Sequence, residues 1–344
     1  MSISSIESRA VTPSLGARAA STALSESRSG WLATLLVSGA TAVWAAATAV
    51  TLLVPDVRPL YTTAQIGAIT ALLTALFAAG ALAGIAQPRV RAFVRALAPW
   101  FLVLGIAALA WQLITAKHKL LPLPYFPPPQ TILDAFESDW SLLLESIFYS
   151  MRLLVLGVGL GAATGFLTGI AMGWSKRAHY WINPILRTIG PIPATAWLPL
   201  AFVLLPTAFG ASIFILALAT WFPVTFLTWA GVVSVSRSYY DVARTLGARD
   251  RFLVWKVAVP AAMPSVFVGL FMGLGNSFVT LLAAEMLGVK AGLGWYITWA
   301  QGWAAYPKVY AALAIIAALF SGLILLLFRV RDNVLSWQKG LVRW

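Results

Sequence analysis

Residues 153–174 read Leu-Leu-Val-Leu-Gly-Val-Gly-Leu-Gly-Ala-Ala-Thr-Gly-Phe-Leu-Thr-Gly-Ile-Ala-Met-Gly-Trp, 22 residues without a charge. At about 1.5 Å per residue, a helix of that length covers the hydrocarbon layer of a bilayer. Gly157, Gly161, Gly165, Gly169 and Gly173 recur every four residues and keep a small-residue groove along one helical face. Helix backbones can approach closely along such a groove. Packing within one chain is its more ordinary use, ahead of a subunit interface.

The same texture extends in both directions. Apolar runs of similar length lie at 31–54, 66–86 and 96–115 before this stretch, and at 190–208, 212–235, 263–287 and 308–330 after it. Of the 344 residues, 60% are hydrophobic and 10% charged, more apolar surface than a soluble core of this size buries. In lipid every backbone N–H and C=O must be satisfied internally, which leaves helices or a closed barrel. The runs do not alternate with period two, so the expected fold is an all-α integral membrane protein of about eight transmembrane helices. The run at 190–208 is the weakest, since Pro191, Pro193, Pro199 and Pro206 interrupt it.

Orientation follows from Lys and Arg. With the amino terminus inside, 18 of the 24 basic residues fall in cytoplasmic segments, among them Arg89, Arg91, Arg95, Lys176, Arg177 and the run from Arg237 to Lys256. Only Arg58, Lys117, Lys119, Arg152, Lys290 and Lys308 fall outside. Both termini are expected in the cytoplasm. The formal charge of +13 is spread between apolar runs and forms no soluble basic patch, so nucleic acid is not an expected partner, whereas membrane lipid is. Residues 1–30, rich in Ser, Ala and Arg, read as a disordered cytoplasmic tail, and the run from Trp31 is too long for a cleaved secretory signal. There is no cysteine, which excludes disulfides and thiolate metal sites.

The longest cytoplasmic connection is the most charged stretch of the chain, 236–260, SRSYYDVARTLGARDRFLVWKVAVP. Asp241 to Leu246 suit a short helix with an acid near its amino end, and Gly247 stands where a helix-terminating residue adopts positive φ. A second amphipathic stretch runs from Asp250 to Val259, with Pro260 expected to close it. The expectation is a helix-turn-helix on the inner membrane surface.

At these residues the chain resembles the permeases of binding-protein-dependent ABC importers, whose signature is Glu-Ala-Ala, three residues, Gly, nine residues, then Ile-x-Leu-Pro. The matching positions are Asp241, Val242, Ala243, Gly247, Val257, Val259 and Pro260, with the spacing kept throughout. Asp241 replaces the usual Glu and Val242 the first Ala. The resemblance covers roughly 95–344 and is nearest the nitrate, sulfonate and taurine branch. Supporting pieces are Leu123-Pro124 to Pro129, Ser150-x-Arg152, Asn183-Pro184, Ile192-Pro193, Trp197-Leu198-Pro199-Leu200, Ala284-Glu285 and Gly292-Leu293-Gly294.

The resemblance implies a type I importer permease core of six helices over 93–344, preceded by two additional spans over 31–92, in a bacterial inner membrane. It implies two separate ABC ATPase subunits, a second permease subunit and an extracytoplasmic solute-binding protein. In that family the short helix of the signature loop docks in a cleft of the ATPase. The residues expected at that contact are Asp241, Ala243, Arg244, Gly247, Ala248, Arg249, Val257 and Pro260. The small ones permit close approach and the charged ones can pair with a partner. A basic loop that merely holds orientation and touches lipid phosphates is the plainer alternative.

No Gly-x-x-x-x-Gly-Lys-Ser/Thr loop occurs, so any ATP and Mg are expected on the partner ATPase, with no cofactor in this chain and no enzymatic role. His118 and His179 stand alone, which leaves metal binding and His catalysis without support. Thr220, Trp221 and Thr225, with Asn276, Ser277 and Thr280, are candidates for a polar pathway, although such residues more often hydrogen-bond between helices. Glu285, near the outer end of its span, is a candidate gate or structural partner, or else a water-exposed interfacial residue. An ion-gradient-driven transporter or channel is the rival class; it would want intramembrane carboxylates or broken repeat helices at midplane, and Glu285 is the only acidic residue placed within a span.

Overall fold

The computed structural model describes residues 15–338, with side chains from Trp31 to Trp337. The elements are helical: α1 (Leu15–Leu53), α2 (Thr63–Ala86), α3 (Pro88–Trp111, continued by a π turn at Gln112–Lys117), α4 (Pro129–Ser138), α5 (Trp140–Trp174), α6 (Lys176–Ile189), α7 (Leu198–Leu204), α8 (Ala208–Val233), α9 (Arg237–Thr245), α10 (Asp250–Phe252), α11 (Val259–Leu287), α12 (Leu293–Gly302) and α13 (Tyr306–Val334). The tail expected over 1–30 lies partly outside the described residues, and its part from Leu15 is the amino-terminal portion of α1.

The chain divides into two compact units, Met1–Asp134 and Ala135–Trp344. The boundary expected between 92 and 93 falls inside α3, which packs with α1 and α2 in one unit.

In the first unit α1 and α3 run parallel and pack directly on each other, with α2 antiparallel against both. Trp44 donates its indole N–H to the Phe101 carbonyl at 2.8 Å, and its ring stacks on Phe101. At the far end Lys117, assigned above to an outer loop, is buried. Its ammonium pairs with Asp56 at 2.8 Å and donates to the Thr51 carbonyl at 3.0 Å, in the last turn of α1. A cation at that carbonyl-rich helix end is stabilised, and the carboxylate makes its burial tolerable.

In the second unit the glycine stripe of α5 lies against α8. A Cβ at Gly169 would stand 2.5 Å from the Thr228 Cβ, one at Gly165 2.9 Å from the Trp221 carbonyl oxygen, and one at Gly173 2.5 Å from Val232. Contacts advance in step along both helices, from Gly157 on Leu216 to Gly173 on Val232, so α5 and α8 are parallel. The stripe is thus used within the chain.

Parallel neighbours require the chain to return across the bilayer between Trp174 and Ala208. Seven helices among the described residues are long and apolar enough to span, and the segment expected at 190–208 is not one of them. The return is broken into α6, a 3₁₀ turn at Ala194–Trp197 and α7. It descends antiparallel to α8: the His179 ring stacks on Trp229, Gly190 meets Phe222, and Leu198 and Ala201 join the buried cluster around Ile215. The prolines that weakened this span in the sequence break the helix without preventing the crossing.

α11 runs antiparallel to α8, with Gly231 on Ala262 and Gly273 on Thr220. α13 starts at the end of the bundle where α5 begins, as the Lys308–Asp139 pair shows. Arg152 at that end lies over the Phe209 ring, 4.7 Å from its centroid.

Candidate functional site: the loop between α8 and α11

Because α5 and α8 end together and α11 begins there, residues 234–258 project from one face of the unit. α9 starts earlier than expected, at Arg237. Its carboxyl end closes as a Schellman motif: the Ala248 N–H donates to the Ala243 carbonyl (3.0 Å) and the Gly247 N–H to the Arg244 carbonyl (2.9 Å). Gly247 has φ +82°, the positive value expected of it.

Pro260 does not end the second arm. Asp250 to Leu287 form one continuous helical run, with a π turn at Leu253–Ala258 before α11. The change of hydrogen-bond register falls beside Pro260, where a missing N–H costs least. The second arm is therefore an extension of α11.

α9 is amphipathic in an unusual sense, since apolar residues occupy its outer face. Tyr239, Val242 and Leu246, at i, i+3 and i+7, are 63%, 60% and 83% exposed. Tyr240 points the other way, edge-on to Trp174 and against the Val232, Ala258 and Ala262 cluster, and burial raises its phenol pKa. The helix is thus anchored by one aromatic while presenting an apolar ridge. Ala243, Leu246, Gly247, Ala248, Arg249 and Phe252 line a cavity of about 580 Å³ beside that ridge. Asp241, Arg244 and Arg249 are exposed, and the Arg244–Asp250 pair is long at 4.0 Å and solvated. Val257 and Pro260 are half-buried at the foot of the second arm.

The candidate pathway residues separate into two groups. Thr220 and Ser277 are fully buried and share a 2.5 Å hydroxyl contact, and Thr225 meets Thr168 at 2.9 Å, so these hydroxyls hold α5, α8 and α11 together. Asn276, exposed, and Thr280 line a 240 Å³ cavity at the break after α6, with Pro193, Thr195 and Phe222. Trp221 is half-buried beside Gly165.

Glu285 is not water-exposed: 1% of it is accessible. Its carboxylate accepts the Ser150 hydroxyl at 2.7 Å and the Gly294 N–H at 2.8 Å, while Ser150 accepts the Leu293 N–H at 2.9 Å. Gly292 has φ +108°, and a side chain there would overlap the carboxylate. Three motif fragments separated in sequence are one clasp joining α5, α11 and the amino end of α12, where the helix dipole favours an anion.

A second polar clasp was not legible in sequence. Asp139 accepts from Lys308 (2.7 Å), Tyr296 (2.8 Å) and Ser138 (3.2 Å). Burial opposes its ionisation, but these hydrogen bonds and the Lys308 charge outweigh it and hold its pKa below 3.8. A carboxylate with a depressed folded pKa stabilises above its unfolded value, and that contribution is lost as pH falls through the folded one. The detergent-solubilised chain is therefore expected to lose thermal stability below about pH 4, and Asp139→Asn to flatten that limb while lowering the melting temperature at pH 7. An unchanged acid limb in the variant would show that Asp139 has no part in it.

Buried hydroxyl contacts, a broken return crossing and one projecting loop describe an all-α membrane-embedded protein. The chain belongs to the family of binding-protein-dependent transport system inner membrane components, whose model matches residues 158–337. It is 33% identical over 234 residues to a probable ABC transporter permease protein of Brucella abortus, covering 67% of this chain and 91% of that one. It is 30% identical to a nitrate import permease protein of Synechocystis sp. (70% and 86% covered) and 29% identical to the taurine transport system permease protein of Escherichia coli (70% and 87%). An inward-facing structure of the MetNI methionine ABC transporter is similar over 58% of this chain and 98% of that chain, with 16% identity and a TM-score of 0.49.

Proposed function

We propose that this chain is the membrane-spanning subunit of an ATP-driven importer, coupled to a separate ATPase through the loop 236–260. The observation that carries the reading is the exposed apolar ridge of α9, closed by Gly247 and continuous through the second arm with α11. An apolar ridge bordered by arginines suits a partner's cleft better than a lipid headgroup surface, which would take the charges alone. Two copies of the chain, or this chain with a related one, engage two ATPase subunits that hold ATP and Mg. An external binding protein delivers solute on the opposite face, and both termini are cytoplasmic. Relatives named for nitrate, taurine and aliphatic sulfonates favour a small oxyanion as cargo.

The test is reconstitution. The chain is coexpressed with candidate ABC ATPase and solute-binding subunits from the same genome, and uptake of labelled nitrate or taurine into proteoliposomes is followed with and without ATP. ATP-dependent uptake supports the proposal. Uptake driven equally by an ion gradient without ATP would replace it with the secondary-transporter reading.

A further inference from the structure

The first unit contains a groove of about 750 Å³ between α1, α2 and α3, at the end where α2 finishes and α3 begins. That volume lies within the range of small-ligand sites. Its walls are apolar, formed by small residues such as Ala42, Ala45, Ala78 and Ala81. The wall hydroxyls of Ser38 and Thr41 donate to their own helix, at the Leu35 and Val37 carbonyls, and so offer no donor to a guest.

Charge is confined to the rim. Arg91 donates from Nε to the Gly84 carbonyl (2.8 Å) and from a terminal nitrogen to the Ile85 carbonyl (2.7 Å), which fixes its guanidinium over the carboxyl end of α2. A guanidinium carries five N–H donors, so others remain for an anion. Arg95 stands one turn further along the same face of α3 and has no ion pair or side-chain hydrogen bond among the described residues. Leu82 and Ile85, 67% and 71% exposed, continue the apolar surface beside the groove.

An apolar trough ending in two guanidinium groups matches an amphiphile with an anionic head and an apolar tail. We propose that this groove binds an anionic glycerophospholipid, its acyl chain between α1 and α2 and its phosphate at Arg91 and Arg95. A basic pocket between transmembrane helices is the recognised form of such a site. The assignment is independent of the transport reading, since it concerns only the first unit.

The test uses the purified full chain, delipidated in detergent and titrated with phosphatidylglycerol or phosphatidylethanolamine of identical acyl composition under native mass spectrometry. Phosphatidylglycerol is expected to be retained preferentially. Arg95→Gln is expected to reduce that preference by about fivefold and Arg95→Lys to preserve most of it. Arg95 is exposed and makes no ion pair or side-chain hydrogen bond among the described residues, so neither variant is expected to disturb folding. Equal retention of the two lipids, or an unchanged preference in Arg95→Gln, overturns the proposal. Displacement of phosphatidylglycerol by equimolar glycerol phosphate would mean a bare anion site and likewise overturns it. The chain lacks cysteine, so Ala81→Cys is a unique thiol. Its ready cross-linking into dimers would place a second copy in the groove instead of lipid.

Discussion

Gly161→Leu is expected to destabilise the folded protein strongly, whereas Gly159→Leu, two residues away on the same helix, is expected to be nearly silent. A Cβ at Gly161 would overlap the carbonyl oxygen of Ala217 and lie 2.7 Å from the Thr220 Cβ, while nothing stands within 4 Å of one at Gly159. Backbone cannot rotate out of the way as a side chain can. α8 is also held from its other side by α11, through Gly273 on Thr220 and the Ser277 hydroxyl on the Leu216 carbonyl (3.0 Å). Overpacking of this kind costs about 3 kcal/mol, the upper end of the usual range, because the whole α5–α8 seam must open. Size-exclusion profiles and melting temperatures in detergent give the measurement. Equal melting of the two variants would mean that α5 and α8 do not pack along the stripe.

Gly247→Glu is expected to remove ATPase binding while leaving the membrane part folded. The strain of a positive φ in a non-glycine residue is about 1–2 kcal/mol, paid locally in an exposed turn. Nothing stands within 4 Å of a Cβ at this position, which lies on the wall of the cavity shared with Ala243 and Phe252. The new side chain's bulk and charge would enter the surface proposed to contact the ATPase. Cofractionation of the two subunits is expected to fall at least tenfold, with an unchanged melting temperature for the span region. Gly247→Asn, which tolerates this φ and adds no charge, is expected to retain more binding. Wild-type cofractionation in Gly247→Glu would remove this loop from the contact.

How much could be read in advance differs between the two arms of that loop. Gly247 was legible because few residues accept positive φ at a helix end. Pro260 reads as a terminator, yet proline reports only a missing N–H and not whether a neighbouring π turn has already moved the register. Tyr239, Val242 and Leu246 gave no signal of exposure, since apolar residues at helical spacing ordinarily face a core.

Composition and spacing alone determined that the chain lives in lipid as helices, where its apolar runs lie and which loop carries the family signature. Those features are local: each depends on residues within about twenty positions, where hydropathy and backbone constraints act. Tertiary structure decided what depends on distant partners. It paired the glycine stripe with α8, turned the proline-rich return into a broken crossing, and gathered Ser150, Glu285 and Gly294 into one clasp. Sequence records that a carboxylate or a glycine is present. Only the packed helices bring its partner within hydrogen-bond or van der Waals distance, and at that range the energy of a buried polar group is decided.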